Sequence, residues 1–175
     1  MKHLVKIAAL VYALFSLASC SRTPGNNYDE FGNPIVFDGG VTIMVKEYRR
    51  VYSGYPYPDK DYYTYELDGI YKHFSIRTLE DERIKEIEYL IEFDYVLEDS
   101  PYPHKVRRST YDWLGTQNYK VNFNGHKLSV GGEPIEKNIS SRVRGFYDGT
   151  VTLAIHTTSG NVYRKTLYNV PIQLN

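Results

Sequence analysis

Residues 86–98, Glu-Ile-Glu-Tyr-Leu-Ile-Glu-Phe-Asp-Tyr-Val-Leu-Glu, alternate, with five of the seven positions on the polar face acidic. Ile87, Tyr89, Ile91, Phe93, Tyr95 and Leu97 fall on one face, while Glu86, Glu88, Glu92, Asp94 and Glu98 fall on the other. A helix would gather Ile84, Ile87, Ile91 and Tyr95 on one side, with Thr78 as its cap. Six successive matches at period two instead mark a strand. A strand with one apolar face is stable only in a sheet that packs on a second layer. This run alone points the chain toward β architecture.

The rest of the chain agrees. Val41, Ile43 and Val45 alternate with Thr42 and Met44, and Ile70, Lys72, Phe74 and Ile76 share a face opposite Tyr71, His73, Ser75 and Arg77. Asn124-Gly125 suits a two-residue type I′ turn. That turn predicts Phe123 opposite His126, Val121 opposite Leu128 and Tyr119 opposite Val130. Asp148-Gly149 predicts a second hairpin and Ser159-Gly160-Asn161 a closing one. Short strands separated by turns, with no stretch of crossover-helix length, predict an antiparallel β-sandwich over residues 41–175. The stretch Thr150 to Leu167 resembles the last hairpin of bacterial immunoglobulin-like domains. That resemblance implies an all-β, immunoglobulin-like sandwich.

The N-terminus carries a different signal. Lys2 and Lys6 precede an uncharged apolar run, Ile7 to Leu17, too short to span a bilayer, which takes about 20 helical residues. This pattern predicts an export signal over residues 1–19. Leu17-Ala18-Ser19-Cys20 resembles the lipobox of bacterial lipoproteins. The resemblance implies cleavage before Cys20 and diacylglycerol on its thiol, with membrane attachment through acyl chains worth about 0.8 kcal/mol per buried CH₂. In enterobacterial members of that family an Asp after the cysteine marks inner-membrane retention. Ser21 at that position implies the outer membrane, on its periplasmic side or at the cell surface. Residues 20–40, rich in Gly, Pro and Asn, read as the lipidated cysteine and a tether. The Tyr- and Asn-rich composition is similar in style to small lipoproteins of Bacteroidetes.

Charge and motif content narrow the chemistry. With 21 basic and 21 acidic residues the chain lacks the basic excess of a nucleic-acid binder. One cysteine, assigned to lipid, leaves neither a disulfide framework nor a catalytic thiol. His73, His104, His126 and His156 form no metal-ligand frame, and no nucleophile elbow, Walker loop or dinucleotide fingerprint occurs. No cofactor or metal is expected. Asp59, Asp61, Glu66 and Asp68 carry oxygen ligands but do not follow the EF-hand loop. A carboxylate hydrolase is an alternative that no spacing selects. Residues 80–99 hold nine acids against Arg83 and Lys85. They form either an acidic edge for a basic partner or one half of a cross-strand pairing with Lys105, Arg107, Arg108, Arg142, Arg144, Arg164 and Lys165.

Tyrosine is the remaining anomaly, at 18 residues. Tyr55, Tyr57, Tyr62, Tyr63 and Tyr102 cluster near prolines in expected loops, where rings with hydroxyl handles suit a protein partner or a sugar. Pro56-Tyr57-Pro58-Asp59-Lys60 followed by Thr64-Tyr65-Glu66-Leu67-Asp68-Gly69 is echoed by Pro101-Tyr102-Pro103-His104-Lys105 and Thr110-Tyr111-Asp112-Trp113-Leu114-Gly115, with one extra residue in the second copy. The expected function is a non-enzymatic envelope module for binding or assembly, acting through these loops or a sheet edge. The alternative is a glycan binder with Tyr57, Tyr102 and Trp113 as stacking platforms.

Overall fold

A computed structural model describes Asp29 and residues 32–175, except 33, 55, 79–81 and 132–133; the side chains of 57, 116 and 117 are also left out. Cys20, the signal and most of the expected tether lie outside the described residues. Among the described residues nine strands follow one another: β1 (Ile35–Gly54), β2 (Tyr57–Thr78), β3 (Ile84–Leu97), β4 (Pro103–Asn118), β5 (Lys120–Leu128), β6 (Pro134–Ile139), β7 (Val143–Thr157), β8 (Val162–Leu167) and β9 (Ile172–Leu174). Among the described residues no helix is long and apolar enough to cross a membrane.

The strands form two sheets, one ordered β5-β2-β1-β9 with β6 also on β2, the other β4-β3-β7-β8. All pairings are antiparallel except β1 with β9. The second sheet follows the C′-C-F-G order of an immunoglobulin-like sandwich, and β1-β2-β5 occupy the A-B-E positions of the other. The expected all-β sandwich is what the chain forms.

Period-two patterning decides which side chains go inside. Ile43 and Val45 of β1, Ile70, Phe74 and Ile76 of β2, Ile87, Tyr89, Ile91 and Phe93 of β3, and Val151, Leu153 and Ile155 of β7 are buried between the sheets. Each such side chain stabilises the fold by roughly 1.5–3 kcal/mol on burial. Phe74 meets Tyr89 across the interior at 6.5 Å between ring centroids, and Tyr65 meets Phe146 edge-on at 6.3 Å.

Three expectations are corrected and one alternative is decided. Strand β1 starts at Ile35, inside the stretch read as tether, because Ile35 and Phe37 enter the core and pair with β2. Asn124-Gly125 is not a hairpin: β5 runs through it along β2, with Phe123 opposite Phe74 and His126 opposite Lys72. Gly125, at φ 77°, takes up a one-residue register shift there. A glycine at positive φ serves a bulge as well as a turn, and the long β2 template favours continuation. Asp148-Gly149 likewise sits inside β7, where Asp148 at φ 53° accompanies a bulge between the Glu92–Thr150 and Asp94–Tyr147 pairs. Of the two readings of the acidic run of β3, the edge falls and the cross-strand pairing stands, because β3 lies between β4 and β7. The Ser159-Gly160-Asn161 hairpin forms as expected, closed by hydrogen bonds from Thr157 N to Asn161 O at 3.0 Å and from Gly160 N to Thr157 O at 3.2 Å.

Candidate functional site

The polar groups of the interior form closed networks. Lys72 lies on the inward face of β2, where the alternation put it with Ile70 and Phe74. Its ammonium pairs with Asp112 of β4 and stands 4.0 Å from the centroid of the Phe123 ring. The Tyr89 hydroxyl donates to the same carboxylate at 3.4 Å, and burial, followed by the Asp112 charge, pushes its phenol well above the ordinary range.

Near the surface three carboxylates are held ionised. Glu47 accepts from Tyr65 OH at 2.7 Å and from Arg142 Nε and Nη2 at 3.1 Å each. Burial opposes its ionisation, but these hydrogen bonds outweigh it and keep the carboxyl below its ordinary range. The Tyr65 oxygen in turn accepts from Val143 N at 3.0 Å, joining β2 of one sheet to β7 of the other. Asp68 is desolvated yet held low by Lys127 and Lys46. Glu82 is desolvated yet held low by Asn161, Ser159, Tyr163 and Thr157 around the closing hairpin. Of the four acids considered for calcium, Asp61 pairs with Arg49 at 2.8 Å and Asp68 with its two lysines. Among the described residues no three His, Cys, Asp or Glu side chains group as metal ligands.

Tyr102 and Trp113 do not share a surface. Tyr57 opens β2 opposite Gly54 at the β1–β2 tip. Tyr102 is 74% exposed in the β3–β4 turn, at the same end of the sandwich, where Glu98 shares a recess with Asp59 and Asp61. Trp113 lies eleven residues further along β4, opposite Glu86, so about 35 Å of extended strand separates it from Tyr102. Tyr62 and Tyr63, expected in loops, are half-buried members of β2. Both Pro-Tyr-Pro segments occupy equivalent places, each leading from a hairpin tip into a long return strand. The extra residue in the second copy reverses the facing of everything beyond it. Leu67 is buried, whereas its counterpart Trp113 is 60% exposed; Glu66 faces out, whereas its counterpart Asp112 faces in to meet Lys72.

This reversal builds the most distinctive surface of the molecule, the outer face of the β4-β3-β7-β8 sheet. Tyr111, Glu88, Ala154 and Arg164 lie in register across its four strands, and Ser109, Leu90, Thr152 and Thr166 form the next row. All of these except Thr166 line an open recess of about 500 Å³. Beyond the Tyr111 row come Trp113, Glu86, His156 and Val162, with Lys85 Nζ 5.1 Å from the Trp113 ring centroid. The acids of β3 meet bases here: Arg107 Nε stands 3.6 Å from Glu92, and Asp94 is opposite Lys105. Of the residues expected to pair with them, Arg142 binds Glu47 on the other sheet instead. Period-two reasoning identified β3 and its acids but not Tyr111, Ser109 or Arg164, whose shared face depends on strand order.

Beside this face, β4 ends the sheet. Among the described residues it pairs only with β3. No protein-family model matches this chain, and no curated protein or solved structure matches it either.

Proposed function

We propose that the chain is a non-catalytic binding module of the cell envelope, held to the outer membrane through lipid on Cys20, that joins a partner protein along β4. The carrying observation is the 16-residue strand Pro103–Asn118 with one side unpaired among the described residues. An edge of this length offers a row of backbone donors and acceptors, the feature that strand addition uses. Lys105, Arg107 and Arg108 guard its first half against indiscriminate pairing. The second half carries Tyr111 and Trp113, both more than half exposed, and aromatics of this kind anchor interfaces.

A test follows from the alternation of β4. Side chains at 105 and 108 point to opposite faces, so only a partner lying along the edge reaches both. Photocrosslinking amino acids placed at Lys105 and Arg108 of the full-length protein in living cells are expected to trap the same partner. Adducts from neither position, or from one face alone, overturn the edge reading. The lipid is tested separately: fatty-acid labelling lost in Cys20→Ala supports the anchor, and labelling retained removes it.

A further inference from the structure

We propose that the recess on the outer face of the β4-β3-β7-β8 sheet is a binding site for a neutral saccharide, taking one or two pyranose rings. It shares Tyr111 and Trp113 with the β4 edge but does not rest on the edge reading.

The argument starts from the four-strand row. Tyr111 and Arg164 stand on opposite banks, about 14 Å apart at the backbone for three strand spacings. Between them Glu88 and Ala154 continue the row, and the alanine, 5% exposed, forms a low floor that a larger side chain would raise. Ser109 and Thr152 add hydroxyls from the neighbouring row. The volume of about 500 Å³ falls within the usual range of small-ligand sites, roughly 300–1,000 Å³.

The lining selects among ligand classes. An apolar ligand would find Leu90 and Ala154 but would strip water from a carboxylate, a guanidinium and hydroxyls while offering them nothing in return. An anion would favour Arg164 but face Glu88, the neighbouring Glu86 and Glu92, and Asp29, whose carboxylate accepts from Arg164 N at 3.1 Å; a cation would meet Arg164, with His156 Nε2 already 3.5 Å from Glu88. The two opposed charges complement a neutral ligand whose groups both donate and accept. Hydroxyls do so: Glu88 accepts from them and Arg164 donates to them, while Ser109 and Thr152 do either. A pyranose also has an apolar C–H face, which suits the flank of Tyr111, 64% exposed. Trp113, two residues further along the same face, extends the platform for a second ring.

Trp113 is the chain's only tryptophan and reports on the site directly. The full-length chain in a sugar-free detergent is titrated with xylo-, cello-, manno- and galacto-oligosaccharides, following Trp113 emission and heat. A saturable response is expected from at least one series, with a dissociation constant of about 1 mM or tighter. Tyr111→Ala and Arg164→Ala are each expected to weaken it by about tenfold or more. Tyr48→Ala, on the distant β1–β2 ribbon, is expected to leave it unchanged. The two site side chains face solvent, so both variants are expected to keep the wild-type circular dichroism spectrum. No saturable response in any series up to about 10 mM overturns the proposal. An undiminished response in the folded Tyr111→Ala/Arg164→Ala double variant overturns it equally.

Discussion

Lys72 and Asp112 join the two sheets through the interior, an ammonium from β2 against a carboxylate from β4, with 4% of the lysine side chain exposed. Among the described residues neither makes a second ion pair. The arrangement satisfies Lys72 only while Asp112 is present, and cation–π contact with Phe123 adds to it.

Removing one partner leaves a buried charge uncompensated, at a cost of about 3–5 kcal/mol. Asp112→Ala is therefore expected to lower the urea midpoint sharply. Lys72→Met, which keeps the length of the apolar stem, is expected to cost less. The double variant Lys72→Met/Asp112→Leu is expected to recover most of the Asp112→Ala loss, because paired hydrophobic replacements of buried ion pairs are often neutral. A double variant no more stable than Asp112→Ala would show that the pair is not the source of the loss.

Acid stability follows from Glu47, Asp68 and Glu82, each held below its ordinary range in the folded chain. In the unfolded chain they take up protons at higher pH. Between the unfolded and folded values the unfolded state thus binds more protons, and stability rises with pH. Their contribution is complete above about pH 5 and is lost as pH falls through the folded values. Unfolding by urea across the acidic range is expected to show this slope, and Glu47→Gln is expected to make it shallower. An unchanged slope in Glu47→Gln would exclude Glu47 as a contributor.

Tyr65→Phe removes a hydroxyl that donates to Glu47 and accepts from Val143 N. The buried Val143 amide is left without this acceptor, a loss of about 1–3 kcal/mol. The partner variant Glu47→Gln can still accept from Tyr65, so it is expected to cost less. Equilibrium denaturation of the two single variants checks the order.

The glycine positions distinguish two kinds of bulge. Gly69, at φ 138°, has Leu128 O only 2.1 Å from where a Cβ would stand, so Gly69→Ala forces β2 and β5 apart. Gly125, at φ 77°, has its nearest such neighbour 3.7 Å away, a His73 side-chain atom. Gly125→Ala is expected to cost about 1 kcal/mol from backbone strain alone. Gly69→Ala is expected to cost several times more, and amide exchange at the β2–β5 ladder is expected to quicken with it.

What could be read in the sequence was the local alternation and what could not was its partner. The strand over 86–98 and the core positions 70, 74 and 76 follow from period two, because one buried face needs no knowledge of the other sheet. Asn124-Gly125 misled because positive φ at a glycine does not say whether the chain reverses or merely bulges. That choice is made by β2, whose residues lie some fifty positions earlier. Lys72 was visible as a lysine in an apolar phase, a signal for a buried cation. Its partner Asp112 was not, since its inward facing depends on the one extra residue in the second Pro-Tyr-Pro copy.

That parity can itself be tested. Leu67 and Trp113 occupy equivalent places in the two similar segments, yet Leu67 is 2% exposed and Trp113 is on the surface. Leu67→Ala is expected to destabilise the fold by about 2–5 kcal/mol, as a cavity in the core does. Trp113→Ala, despite deleting the larger side chain, is expected to stay within about 0.5 kcal/mol of the parent. Deleting Ser109 would bring the second copy into phase with the first, driving Trp113 inward and Asp112 out. Lys72 would then lose its carboxylate while the core received an indole it has no space for. That deletion is expected to unfold the chain, whereas Ser109→Ala, which keeps the phase, is expected to leave its thermal midpoint nearly unchanged. A folded deletion variant with a solvent-exposed Trp113 emission would mean that the register of β4 is set from its far end, by the β3–β4 pairing near Ile84 and Asn118.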